Sequence, residues 1–258
     1  MIEFFIIGLC AFAAATLTLF SGFGLGTLLM PVVALFFSVE IAIAITAVVH
    51  LANNLFKVAL LGSKTSVPVL LRFGLPAVLM AFVGAWLLNT LASGSVIFSY
   101  SLLDRDMSVS TAKLIIGLLI LVFVLLELSP RLSAVQFDAR YLPVGGLLSG
   151  FFGGLSGHQG ALRSMFLVRS GLSKDQYVAT SAVLAAVVDI SRLGVYSGDL
   201  AARSETINWW LVATACVAAF AGSYFGKQLL QKITIRTIRA SVSTLLIVIA
   251  LGMISGLL

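Results

Sequence analysis

Three groups of polar residues stand inside a chain that is otherwise apolar, and their types point to anion and proton chemistry. The first is Leu155-Ser156-Gly157-His158-Gln159-Gly160-Ala161-Leu162-Arg163, which separates two apolar runs at 141–154 and 164–171. Glycine lets a ligand approach the backbone and its N–H groups. A helix beginning near Gly160 or Ala161 presents its positive end to an anion, with Arg163 one turn in. The second group is Thr46, His50, Asn53, Asn54 and Lys57, which recur at three- and four-residue spacing and so share one stripe of a helix. The third is Ser181, Asp189 and Arg192, with Tyr196 one turn on. Ionisable residues within a span are costly and normally face a cavity or a partner. Lys57, Arg163 and Arg192 supply positive charge for an anion, and Asn53, Asn54, Ser156, Gly157, His158 and Gln159 supply polar contacts. His50, His158 and Asp189 are the groups able to carry a proton. Plainer readings stand beside these. Lys57 and Arg192 could snorkel from near a helix end, Asp189 and Arg192 could neutralise each other across three residues, and Gly145, Gly146 and Gly150 suit close helix packing.

These residues need elements to position them. As helices the two runs flanking the first group are about 21 and 12 Å long, short of the roughly 30 Å hydrocarbon core. A polar break at that depth is tolerated where irregular backbone lines a protein-buried or water-filled cavity. Half-helices meeting at such a break build substrate sites in transporters. A related break occurs 135 positions earlier, at Phe20-Ser21-Gly22-Phe23-Gly24-Leu25-Gly26-Thr27-Leu28, which adds Ser21, Gly22 and Gly24 to the candidate binding residues. At the same offset Met30/Met165, Ser38/Ser173, Glu40/Asp175, Thr46/Ser181, Asn54/Asp189 and Lys57/Arg192 correspond, and at 138 so do Phe82/Phe220 and Gly84/Gly222. Polar matches running without a gap indicate an internal duplication.

Composition sets the solvent. Of 258 residues 60% are hydrophobic and 10% charged, and the mean hydropathy is +1.13, which excludes a soluble globular domain. Segments of alternating polarity are absent, which excludes a membrane β-barrel. The net charge of +6 fits Lys- and Arg-rich inside loops, and no basic face on a soluble scaffold exists for nucleic acid. Cys10 and Cys216 lie in apolar runs and read as small buried hydrophobes. Two histidines without an adjacent carboxylate or cysteine give no metal-ligand spacing, and no cofactor motif, P-loop or Ser-His-Asp order appears, so an enzyme is not expected. Met1-Ile2-Glu3-Phe4 lacks a basic n-region, so no cleavable signal peptide is expected.

The expected fold is an all-α polytopic membrane protein of two inverted repeats, each a re-entrant or broken helix hairpin plus three transmembrane helices. The first repeat, 1–128, holds the hairpin 4–37 and spans 41–61, 67–91 and 111–128. A cytoplasmic linker covers 129–140, and the second repeat, 141–258, holds the hairpin 141–171 and spans 176–196, 206–230 and 240–258. Residues 92–110 and 197–205 read as polar loops and 231–239 as a basic one. Lys64, Arg72, Arg131, Arg140, Arg169, Lys174, Lys232, Arg236 and Arg239 mark inside segments, which places both termini outside. With hairpins that do not cross, each half has an odd number of crossings, so the halves are inverted and their tips meet near the midplane. The helices carrying His50–Lys57 and Asp189–Arg192 then face each other.

At these residues the chain resembles the sulfite exporter TauE/SafE family, also called the toluene-sulfonate uptake permease superfamily. The resemblance is carried by Ser21-Gly22-Phe23-Gly24-Leu25-Gly26 with Met30-Pro31, and by Gly153-Gly154-Leu155-Ser156-Gly157-His158-Gln159-Gly160-Ala161-Leu162-Arg163-Ser164. Ala179-Thr180-Ser181 and Asp189-Ile190-Ser191-Arg192-Leu193-Gly194 add to it, so it covers essentially the whole chain. Leu25 and Thr27, His158-Gln159 and Phe166 depart from the family's usual residues. The resemblance implies a secondary transporter, working as an exporter, of small sulfur-containing anions such as sulfite or organosulfonates across the inner membrane, coupled to protons or the membrane potential. An uncoupled anion channel and a permease for another small carboxylate or oxyanion are the alternatives. The expected partners are the small anion and the bilayer, with a homodimer left open and no nucleic acid.

Overall fold

Lipid offers the backbone no hydrogen-bond partner, so an apolar segment in it must satisfy its own peptide groups, and a helix does so locally. In the computed structural model, residues 2–21, 25–37, 39–92, 94, 96–102, 105–129, 131, 135–202, 207–229 and 235–257 are described. Among them the helices are α1 (Ile2–Ser21), α2 (Leu25–Val33), α3 (Val39–Leu61), α4 (Val67–Ala92) and α5 (Thr111–Leu128), then α6 (Leu142–Ser156), α7 (Gly160–Leu167), α8 (Lys174–Ala202), α9 (Trp209–Leu229) and α10 (Ile235–Ser255). Three stretches are long and apolar enough to cross a membrane, Ile41–Lys64, Val67–Leu91 and Lys174–Gly198. Shorter apolar helices cover Ile2–Thr18, Thr111–Leu126, Trp209–Phe225 and Leu246–Ser255. The chain is a multi-pass membrane protein.

The fold is mostly helical, which corrects the all-α expectation. Within the expected loop at 92–110, β1 (Val96–Leu102) and β2 (Arg105–Ser110) pair antiparallel, with Tyr100 opposite Met107. Val96, Ile97, Phe98 and Tyr100 are β-branched or aromatic and suit a pleated, half-covered surface. The hairpin is tied to the end of α10, where the Tyr100 hydroxyl donates to the Ser255 carbonyl at 2.6 Å. Two further boundaries differ. Helix α8 runs through Ser197 to Ala202, into the expected polar loop at 197–205, and Ser197 Oγ bonds back to the Gly194 carbonyl at 2.8 Å, which a helix accommodates. Helix α10 begins at Ile235, inside the expected basic loop. The arms of the two hairpins also differ, since α1 has 20 residues and α6 has 15.

Packing runs between distant parts of the chain. Helix α4 lies along α6, α1 along α9, and α3 against α8. The α4–α6 contact is backbone on backbone. A Cβ on Gly146, Gly150 or Gly154 would fall 2.2, 2.1 and 2.2 Å from the carbonyl oxygens of Phe73, Ala77 and Ala81. Only glycine permits that approach, which is how helices gain contact in lipid without a hydrophobic driving force. A Cβ on Gly84 would lie 2.1 Å from the Phe151 oxygen, and one on Gly222 would lie 2.3 Å from the Phe12 oxygen. One apolar cluster gathers Ile7, Leu29, Ile45 and Ile249, and a second gathers Phe73, Leu142, Phe166 and Leu184 behind the α6–α7 break.

Candidate functional site

Helix α6 stops at a glycine. Gly157 has φ +81°, the left-handed conformation that side chains other than glycine's resist, and its N–H still bonds to the Gly153 carbonyl at 3.0 Å. The chain turns through His158 and Gln159 and re-enters a helix at Gly160. Ser149 Oγ donates to the Gln159 carbonyl at 3.1 Å, so α6 holds the turn that ends it. The start of α2 lies beside this turn: a Cβ on Gly26 would stand 3.6 Å from the Gly157 oxygen and 3.6 Å from Thr46 Cγ2. A Cβ on Gly157 would meet Arg192 Nη1 at 2.8 Å.

A buried polar network crosses this point from three helices. His50 Nδ1 on α3 lies 2.6 Å from Asp189 Oδ2 on α8. Asp189 Oδ1 faces Arg192 Nη2 at 2.8 Å, an ion pair one turn apart on α8. Gln159 Nε2 donates to the same Oδ1 at 3.4 Å, and Gln159 Oε1 accepts from Arg163 Nη1 at 3.1 Å. Asn54 Nδ2 donates to the His50 carbonyl at 2.9 Å and lies 3.3 Å from His50 Nε2. His50 with its proton on Nδ1 satisfies both neighbours. Asp189 is fully buried, Arg192 is 1% exposed and Arg163 8%. Charged groups this deep need partners. Asp189 has three, whereas Arg163 has only a neutral amide among the described side chains.

The remaining candidates surround the network. Asn53 is buried, and its Oδ1 accepts from Ser223 Oγ of α9 at 2.7 Å, while its Nδ2 has no partner among the described residues. The Thr46 hydroxyl, Arg192 Nε and His158 Nε2 are likewise buried and unpartnered there. His158 Nδ1 lies 3.1 Å from the Ser156 carbonyl, and its ring stacks on Phe123 of α5 with centroids 5.5 Å apart. Ser156 Oγ bonds back to the Phe152 carbonyl at 3.2 Å. Lys57 is half-buried two turns along the His50 face of α3. The Tyr196 hydroxyl donates to the Gly154 carbonyl at 2.5 Å and so ties α8 to α6. Ser21 ends α1, but its side chain lies outside the described residues, as do Gly22 and Gly24. The sequence does not single out Phe123, Ser149 or Ser223; each is one more apolar or small residue in an apolar run, and only the fold brings it, buried, to a candidate.

The site is thus a turn of irregular backbone between two apolar helices, with buried hydrogen-bond donors around it. Among the described residues no group of three or more His, Cys, Asp and Glu side chains could hold a metal. No curated protein and no solved structure matches the chain. The family model for the sulfite exporter TauE/SafE matches residues 7–253, nearly the whole chain. The protein is therefore a member of the sulfite exporter TauE/SafE family, a multi-pass membrane transporter for sulfur-containing anions and not an enzyme.

Proposed function

We propose that the protein is a secondary transporter that exports a small sulfur-containing anion, sulfite or an organosulfonate, across the inner membrane, and that Arg163 is the centre of its binding site. The observation that carries this reading is a charge imbalance: two buried guanidiniums face one buried carboxylate, and that carboxylate is already held by Arg192 and His50. An unneutralised buried cation is costly unless an anion joins it. The unpartnered Thr46 hydroxyl, Asn53 Nδ2 and Arg192 Nε are all donors, the complement of oxyanion oxygens. Asn54, Lys57, Ser156, Gly157, His158 and Gln159 complete the lining, with Ser21, Gly22 and Gly24 from the first break. The hydrogen-bonded His50–Asp189 pair and the open Nε2 of His158 are the proton-carrying groups.

The inverted-repeat plan, with repeats at 1–128 and 141–258 around the linker 129–140, is part of the proposal. The two glycine contacts support it: Gly84 and Gly222 correspond at the offset of 138, and each meets the hairpin of the other half, at Phe151 and at Phe12, positions one helical turn apart under the offset of 135. In each, the second span of one half clamps the hairpin of the other. Both termini are outside in this plan. Cysteine labelling of Ser101→Cys and Lys232→Cys from either side tests it, and reaction of both from one side would refute it. The function is tested by thermal shift of the purified protein with sulfite, sulfate, sulfoacetate, taurine and simple carboxylates. A ligand that binds only the folded state raises the unfolding temperature, and the sulfur anions are expected to do so through Arg163. No shift from any of them would overturn the reading. Liposome flux that carries sulfite without proton movement would turn it to an uncoupled channel.

A further inference from the structure

Gln159 sits between two groups that would otherwise attract each other. Its Nε2 donates to Asp189 Oδ1 at 3.4 Å, and its Oε1 accepts from Arg163 Nη1 at 3.1 Å. The amide is 1% exposed, and its backbone carbonyl is pinned by Ser149 Oγ at 3.1 Å. Because Gln159 opens the first turn of the helix that carries Arg163, the two side chains share one face at i and i+4. A guanidinium with five donors seeks a carboxylate, and the bidentate pair is the strong form. An amide can satisfy one donor of Arg163 without cancelling its charge, and one acceptor of Asp189 without adding charge.

We infer that Gln159 is a positioning residue that keeps Arg163 from pairing with Asp189 and so keeps its charge available to the transported anion. This deepens the function proposed above and rests on it. Gln159 acts through Arg163 and need not touch the anion. The charged and titratable groups around Gln159 and Arg163 are Arg163 itself on α7, Tyr177, Asp189 and Arg192 on α8, His50 and Lys57 on α3, and His158 beside Gln159. Its place on the route from His50 through Asp189 to Arg163 also makes it the one neutral link between the proton-carrying pair and the anion seat among the described side chains.

The test uses purified full-length protein and methanesulfonate, whose charge does not change with pH. Gln159→Glu keeps the shape of the side chain. Protonated, it can donate to Asp189 and accept from Arg163 as glutamine does; ionised, it neutralises Arg163. The expected result is near wild-type binding in acid buffer and an affinity loss of more than tenfold as pH rises, beyond any change in wild type. Gln159→Met, which can neither donate nor accept, is expected to bind weakly at every pH. A pH profile for Gln159→Glu that parallels wild type, or wild-type affinity in Gln159→Met, would overturn the inference. A second readout needs no anion. The unfolding temperature of Gln159→Glu in alkaline buffer should depend on Arg163, so that adding Arg163→Met costs more in that background than in wild type; additive shifts would overturn it. Wild-type protein that binds no sulfur anion would instead refute the function proposed above, with the stability comparison still deciding the role of Gln159.

Discussion

Arg192 in the middle of α8 and Arg163 in the first turns of α7 are both buried guanidiniums, and they differ in what faces them. Arg192 has a carboxylate one turn away on its own helix, at 2.8 Å, and that carboxylate is also bound by His50. Arg163 has the oxygen of a neutral amide at 3.1 Å. In the first region the charge is balanced across α3 and α8, with Arg192 Nε left as a spare donor among the described groups. The second is open, with a cation held in place and not cancelled. Burial alone therefore does not mark a binding residue; the sign and count of its partners do. Arg169, six residues beyond Arg163 and nine beyond the start of α7, shows the third case, an exposed cation that suits an inside loop.

The comparison is broken most directly at Asp189. Asp189→Ala leaves Arg192 buried without its counter-charge and His50 without its acceptor, and removal of one partner from a buried pair costs about 3–5 kcal/mol. The variant is expected to unfold well below wild type in detergent, and an unchanged unfolding temperature would show that the charges of this region do not balance one another. Arg163→Ala should behave in the opposite way. Stability is expected to stay at or above wild type, because an uncompensated charge is removed, while anion affinity falls on the order of ten- to a hundredfold, the loss of a charged hydrogen bond of about 1.5–3 kcal/mol. Arg169→Ala should leave affinity unchanged in the same titration, and equal affinities in the two variants would make Arg163 structural.

The two regions share a backing, the glycine contact of α6 on α4. Gly150→Val sets a branched side chain where even a Cβ lies 2.1 Å from the Ala77 carbonyl, and is expected to cost about 1–3 kcal/mol by overpacking. If the contact serves the tip, anion affinity should drop with it in protein that remains folded, and full affinity would separate the two. The smallest effect is expected at Ser223→Ala, which removes the 2.7 Å bond to Asn53; such interhelical bonds average about 0.6 kcal/mol in membrane proteins. A shift in unfolding temperature several times larger would mean that Asn53 belongs to the charge-balanced network and not to the site's rim.

Much of the architecture could be read from the chain because lipid is an unforgiving solvent. Apolar runs had to be helices, and Gly157-His158-Gln159-Gly160 had to interrupt one, since irregular polar backbone has few places to go at that depth. The stripe from Thr46 to Lys57 and the pair at Asp189 and Arg192 were legible for the same reason, as polar groups whose spacing gives them one face each. The strand hairpin was not legible: Asp104–Asp106 reads as a loop at the level of composition, and the pairing of Val96–Leu102 with Arg105–Ser110 depends on the anchor that Ser255 provides 155 residues beyond Tyr100. The tertiary structure alone decided which charge meets which. Asp189 could have closed on Arg163, Lys57 or Arg192, and periodicity favours only the last. That His50 takes the second carboxylate oxygen from 139 residues away, and that Gln159 stands between Asp189 and Arg163, follow from the depth at which α3 and α8 cross beside the α6–α7 turn. Local spacing determines the face on which a residue sits; the partner on that face is set by the register of helices far apart in sequence, and at this site the partner decides whether a buried arginine is neutralised or left to bind.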